Sequence, residues 1–339
     1  MLRNNSKNTS YRNAICIILM MSLCSVLMLT SCSLLFRTRT FQVTETYRFL
    51  CAEGAKSFLM VDLPVSYGYQ TIGDITVRNA DEYYFEEKDG YQVLHAVMTG
   101  DGGEKVIEID YTVTLYAGEQ TWNLDVRDEH LKPSENIDSD NESIIEAVRP
   151  LIAENNDYQT AKNILAFVSK TVKFDKTPKT NAKTEPASEI LMKKKGICND
   201  YANLAAAMLR AAGIPARHVS GLVFAELADA SDWSHPGGSH AWVEFFTDGK
   251  WHFADPTWGN LYFDKSDGFH LSYGAELVDL STDEYQAQFG ELRKSIEYGG
   301  YRLVASMSAP LKFTAWSEDQ NAMLTPRAEV TKVSGDHTK

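Results

Sequence analysis

Two aromatic-rich runs meet at Asp248-Gly249, and this stretch constrains the fold more than any other part of the chain. His240-Ala241-Trp242-Val243-Glu244-Phe245-Phe246 comes before the turn, and Trp251-His252-Phe253-Ala254-Asp255-Pro256-Thr257-Trp258 comes after it. Such runs around Asp-Gly predict a β-hairpin with a two-residue loop. Thr247 then faces Lys250, Trp242 faces Asp255, and His240 faces Thr257. Facing residues share one side of the sheet, so these four side chains project together. His240 and Asp255 become diagonal neighbours, roughly 7 to 8 Å apart at the backbone and within reach of a side-chain hydrogen bond. A register slip of one residue would put them on opposite faces. His252 falls on the other side, which makes it the poorer candidate base.

The stretch from Gly196 to Pro215 reads as one helix. Tyr201, Leu204, Ala205, Met208, Leu209 and Ala212 follow helical spacing and predict one apolar face. Gly213 and Pro215 end it. Cys198 therefore lies in the first turn, where unpaired N–H groups and the helix dipole favour a negative charge. A thiol so placed, with a histidine and a carboxylate sharing a hairpin face, points to nucleophilic catalysis: Cys198 as nucleophile, His240 as general base, Asp255 as the group that orients the ring. Asp200 supports the helix start but opposes a thiolate. The run Lys193-Lys194-Lys195 either offsets it or forms a solvated turn.

Gly196-Ile197-Cys198, His240-Ala241-Trp242-Val243-Glu244 and Asp255-Pro256-Thr257-Trp258-Gly259 resemble the three motifs of the transglutaminase-like family, in the same order. The resemblance covers roughly Asn141 to Gly259. It implies a papain-like α+β core, helices packed on an antiparallel sheet, with Cys198, His240 and Asp255 as its triad. It also implies acyl transfer, in which a carbonyl is attacked by the sulfur and passed to water (peptidase or amidase) or to an amine (transglutaminase). Hydrolysis of a peptide, protein or cell-wall peptide is the preferred expectation. A binding or scaffold protein that keeps the fold without the chemistry is the competing one. Trp233, Trp242 and Trp258 are the candidate substrate contacts.

Residues 1–31 form an expected signal segment. Arg3, Lys7 and Arg12 precede an apolar run from Ala14 to Leu29 that is short for a membrane span. Leu29-Thr30-Ser31-Cys32 resembles a bacterial lipoprotein box, which implies lipid attachment at Cys32 and an extracytoplasmic, membrane-anchored protein. Removing the segment's three basic residues takes the net charge from −13 to −16. Such a surface argues against nucleic acid and against an anionic membrane face as partners. With Cys32 lipidated, Cys51 and Cys198 are the only other cysteines outside the signal segment. They are too few for a disulfide framework, and the triad requires them to be apart.

A chain of 339 residues is expected to hold two domains and a tail. After a tether at 32–40, short β-branched and aromatic runs punctuated by Asp89-Gly90 and the Gly100–Gly103 cluster predict a small β-sandwich at 41–125. Its expected role is a spacer. Tyr83, Tyr84 and Phe85 are read as core rather than as a binding patch. A polar linker at 126–141 precedes the catalytic domain at 142–275, an extension at 276–325 and a frayed tail at 326–339. No motif for a nucleotide or cofactor is present, and no metal is expected; the only grouping offered is His235, His240 and Asp232.

Overall fold

The computed structural model describes residues 37–88, 91–175, 185–224, 239–273, 301–307 and 313–335. The signal segment, Cys32, the Asp89-Gly90 turn, Asp232, Trp233 and His235 lie outside them. The architecture is a mixed α/β fold in which two β-sheets form a sandwich and a third carries the helices.

The first sheet contains β1 (Arg37–Leu50), β7 (Glu104–Gly118), β14 (Ser266–Asp267) and β18 (Met323–Gly335), ordered β14-β7-β1-β18, with the short strands β3 (Gln70–Ile72) and β4 (Thr76–Arg78) also on β7. The second runs β16 (Arg302–Met307), β17 (Phe313–Ser317), β2 (Lys56–Leu63), β6 (Tyr91–Thr99) and β5 (Glu82–Lys88). Alternate residues of both sheets enter one core: Phe41, Val43, Tyr47 and Phe49 from β1 meet Leu59, Val61, Leu94 and Met98. Each such side chain contributes about 1.5 to 3 kcal/mol by leaving water. Glu45 is buried there. Its carboxylate accepts hydrogen bonds from Tyr47 (2.7 Å), Tyr111 (2.7 Å) and Tyr273 (3.2 Å), while burial pushes its pKa up.

Four sequence expectations are corrected here. The tail at 326–339 is not frayed as far as Gly335: β18 pairs with β1 from Leu50↔Met323 to Arg39↔Gly335. Ala328 and Val330 turn inward while Arg327 and Glu329 face out, which is strand periodicity. Pro326 is tolerated because β18 is an edge strand. The described part of the 276–325 extension supplies β16 and β17 to the sandwich. The linker at 126–141 is packed: His130 is buried edge-on to Trp251 with ring centroids 4.9 Å apart, and Ile137 enters the helical core. Tyr83, Tyr84 and Phe85, read as core, are instead exposed on the edge strand β5.

The third sheet runs β15 (His270–Ser272), β11 (Ala216–Val223), β12 (Ser239–Thr247), β13 (Lys250–Ala254) and β8 (Thr121–Trp122), all antiparallel. The helix Asp157–Thr171 packs here with Cys198–Ala211, burying Ile164, Leu165, Val168, Leu204 and Met208 against Val243 and Phe245. Asn156 caps the first helix, its Oδ1 accepting the Gln159 N–H at 2.8 Å. The cysteine helix is buried from Asp200 to Arg210 on all sides, not on one face. Its alanines permit this, since small side chains let neighbours approach all round.

Candidate active site

The hairpin register follows from the turn. Asp248 and Gly249 both have positive φ (52° and 77°), the backbone of a type I′ turn, and Thr247 faces Lys250. The pairing runs back to Val243↔Ala254 and brings His240 and Asp255 to adjoining positions. His240 Nε2 and Asp255 Oδ2 are 2.7 Å apart, and both residues are buried. The second carboxylate oxygen, Oδ1, accepts the Thr257 N–H at 2.9 Å.

Cys198 opens its helix after Ile197. Asp200 Oδ2 accepts the Ile197 N–H at 2.8 Å and so ties the first turn back onto the preceding residue. This accounts for glycine at 196: a Cβ there would lie 2.5 Å from the Asp200 Cβ. The Cys198 side chain is partly exposed, and Cys51, in the sandwich core, is free as well. The thiol acts on the His240 ring and helps to raise its pKa. With Nε2 taken by Asp255, Nδ1 is the nitrogen left to face the sulfur.

Burial alone would lower the His240 pKa, but the charge and hydrogen bond of Asp255, and then those of Cys198, outweigh it and raise the ring to about 10. Burial alone would raise Asp255; His240, then His270, hold it well below the usual carboxylate range. At neutral pH an imidazolium therefore stands beside the sulfur. Linkage gives a signed expectation. The raised His240 contributes stability that is full below its ordinary value near 6.5 and is lost as pH rises through about 10. The depressed Asp255 contributes stability present above its ordinary value near 3.8 and lost as pH falls. Thermal melts should thus show Tm falling from pH 6.5 toward 10, and His240→Gln should flatten that slope; an equal slope in both proteins would contradict the pairing.

The candidate substrate contacts separate. Trp242 is fully buried and donates Nε1–H to Tyr69 Oη at 2.9 Å, so it is wall rather than contact. It stands on a buried hub: Tyr69 and Tyr67 donate to Glu244 Oε1 (2.7 and 2.9 Å), and Glu244 Oε2 accepts from Arg217 Nε at 2.7 Å. Trp258 stays partly exposed and stacks on His240 with centroids 5.0 Å apart. Trp233 lies outside the described residues. His252 bonds Asp264 at 3.0 Å, away from Cys198, His240 and Asp255. Lys193 and Lys195 pair with Glu185 (2.8 Å) and Asp175 (3.0 Å) at the surface, which matches a solvated turn.

Sequence reasoning missed His270. Its Nε2 lies 3.3 Å from Asp255 Oδ2 and its Nδ1 2.9 Å from Asp267 Oδ1. The only available signal was Asp267-x-x-His270 after a turn. His240, Asp255 and His270 offer donor atoms within 4.8 Å of one another, as a cation would require.

Residues 147–256 match the family model of the transglutaminase-like superfamily core. A stretch of 113 residues is 33% identical to an uncharacterized protein of Mycobacterium leprae and covers 33% of this chain and 40% of that one. Another of 68 residues is 43% identical to a protein-glutamine gamma-glutamyltransferase of Pseudomonas aeruginosa, over 19% of this chain and 10% of that one. The matches thus span less than half the length of these curated relatives. A candidate cysteine protease from Cytophaga hutchinsonii superposes with a TM-score of 0.54 at 16% identity, over 90% of this chain and 95% of its own. At that identity the likeness is one of fold.

Proposed function

We propose that this chain, whose residues 147–256 match the transglutaminase-like superfamily core, is an extracytoplasmic cysteine hydrolase of that family acting on peptide or amide bonds. The observation that carries the reading is the buried His240–Asp255 pair, 2.7 Å apart, with the partly exposed Cys198 thiol acting on the same ring. Cys198 Sγ attacks the carbonyl carbon, and the His240 proton passes to the leaving amine as the C–N bond breaks. Asp255 holds the ring and balances its charge. The Cys198 N–H, in the first turn of its helix, is one donor to the oxyanion. Water then attacks the thioester, His240 takes its proton, and the carboxylate leaves as the thiol is restored.

Water is the preferred acceptor because a protein tethered outside the cytoplasm through Cys32 meets far more water than amine. The tether rests on the sequence alone. Among the described residues no helix is long and apolar enough to cross a membrane. A second reading, amine as acceptor, is favoured by the 43% identity over 68 residues to a gamma-glutamyltransferase. One experiment separates them: incubate the protein with a glutamine peptide, with and without a primary amine, and weigh the products. Deamidated or cleaved peptide in both mixtures is the expected result. An amine adduct would replace hydrolysis by transamidation. Unchanged peptide together with a slowly alkylated Cys198 would overturn the enzyme in favour of a binding protein.

A further inference from the structure

We propose that His270, fixed by Asp267, is a positioning residue for Asp255, so that the β-sandwich takes part in aligning His240; this rests on the cysteine-enzyme reading above. Asp255 Oδ2 serves two imidazoles, His240 at 2.7 Å and His270 at 3.3 Å. His270 is itself fully buried and meets a carboxylate at each ring nitrogen. A ring that bonds carboxylates at both nitrogens donates at both, and is therefore an imidazolium. Asp267 and Asp255 raise His270 against the lowering effect of burial. Two carboxylates and two imidazoliums alternate, and the buried set is close to neutral.

The outer half of this chain belongs to the sandwich. Asp267 lies on β14, which pairs with β7 at Asp267↔Ala117, and its carbonyl accepts a hydrogen bond from Arg39 of β1. Its carboxylate also accepts the Phe269 N–H at 2.8 Å, and the Arg39 guanidinium covers the Phe269 ring at 4.1 Å. The His270 ring is held edge-on by Trp242 (5.0 Å), Trp258 (4.8 Å) and Phe253 (5.0 Å). A ring so confined offers Asp255 a donor in one place, which leaves its carboxylate one orientation toward His240. The sandwich then does more than the spacer work expected of it.

The titratable groups facing this set are Cys198, Asp255 and His270 around His240, and Asp255, Asp267, His240 and Tyr262 around His270, with Arg39 behind Asp267. The His240 and His270 centroids are 5.4 Å apart. Removing the His270 cation therefore lets His240 hold its proton to higher pH while it loosens Asp255.

The test is the pH profile of Cys198 carboxymethylation by iodoacetate, an anionic probe that reacts best when an imidazolium stands beside a thiolate. Wild type, His270→Gln and Asp267→Asn are compared, with melts to establish folding. Both variants should show a plateau rate lower by about tenfold, and His270→Gln should move the upper limb up by roughly one pH unit. Should His270→Gln fail to fold, the plateau of Asp267→Asn decides. Folded variants with the wild-type profile would overturn the proposal. A wild-type Cys198 that reacts no faster than a free thiol would overturn the enzyme reading instead.

Discussion

Asp255→Asn is expected to lower turnover by about 10³- to 10⁴-fold while the protein stays folded, the scale seen when an orienting carboxylate becomes an amide in a nucleophile–histidine–carboxylate set. The geometry gives the reason. Oδ2 accepts from His240 and His270, and Oδ1 accepts the Thr257 N–H. An amide has one accepting oxygen and one donating nitrogen, so in either rotamer a donor faces a donor. If the amide nitrogen turns to His240, the ring must present a bare Nε2, its proton moves to Nδ1, and the cation beside Cys198 is lost. If it turns to Thr257, the carboxylate charge that keeps His240 near 10 is still gone. Turnover within tenfold of wild type would show that Asp255 does not govern the ring.

The second large effect is on stability. Glu244→Ala should cost about 3 to 5 kcal/mol, because it leaves the buried Arg217 cation without its carboxylate. Arg217 and Glu244 face each other across β11 and β12, with side chains 0% exposed and Nη2 2.6 Å from Oε2. The Tyr67 and Tyr69 hydroxyls lose their acceptor too, and Tyr69 in turn holds Trp242. A domain of this size loses about 2 to 4 °C of Tm per kcal/mol, so the melt should drop by on the order of 10 °C. Lys193→Ala, which removes a solvent-exposed pair with Glu185, should leave Tm nearly unchanged. Equal small shifts for the two variants would contradict a stabilising role for the hub. Trp242 packs against His240 with ring centroids 6.1 Å apart, so Glu244→Ala should also impair turnover in whatever fraction remains folded.

What was legible in the sequence is local. Asp248-Gly249 dictates a turn whose twist fits a hairpin, and that turn fixes the register placing His240 beside Asp255. Gly196, Cys198 and Gly213 mark a helix whose ends are set by backbone chemistry within a few residues. What escaped depends on contacts distant in the chain. The pairing of β18 with β1 joins residues nearly 300 apart, and periodicity in either strand names no partner. Polar composition at 126–141 suggests a linker, yet two buried side chains, His130 and Ile137, anchor it to the fold while much of the segment stays exposed. Trp242 looks like a contact for substrate because aromatics beside a catalytic histidine often are. Its role as wall was set by Tyr69, which lies in a segment whose sequence carries no sign of the site. His270 escaped for the same reason: nothing near it in sequence says that a second imidazole will reach Asp255.

The most direct measurement is the rate at which iodoacetamide alkylates Cys198 at neutral pH in the wild-type protein and in His240→Ala. If sulfur and imidazolium share one pocket, wild-type Cys198 is labelled rapidly and the substitution slows it by a large factor, while buried Cys51 stays unlabelled in both. Slow labelling of Cys198, indifferent to His240, would contradict the triad.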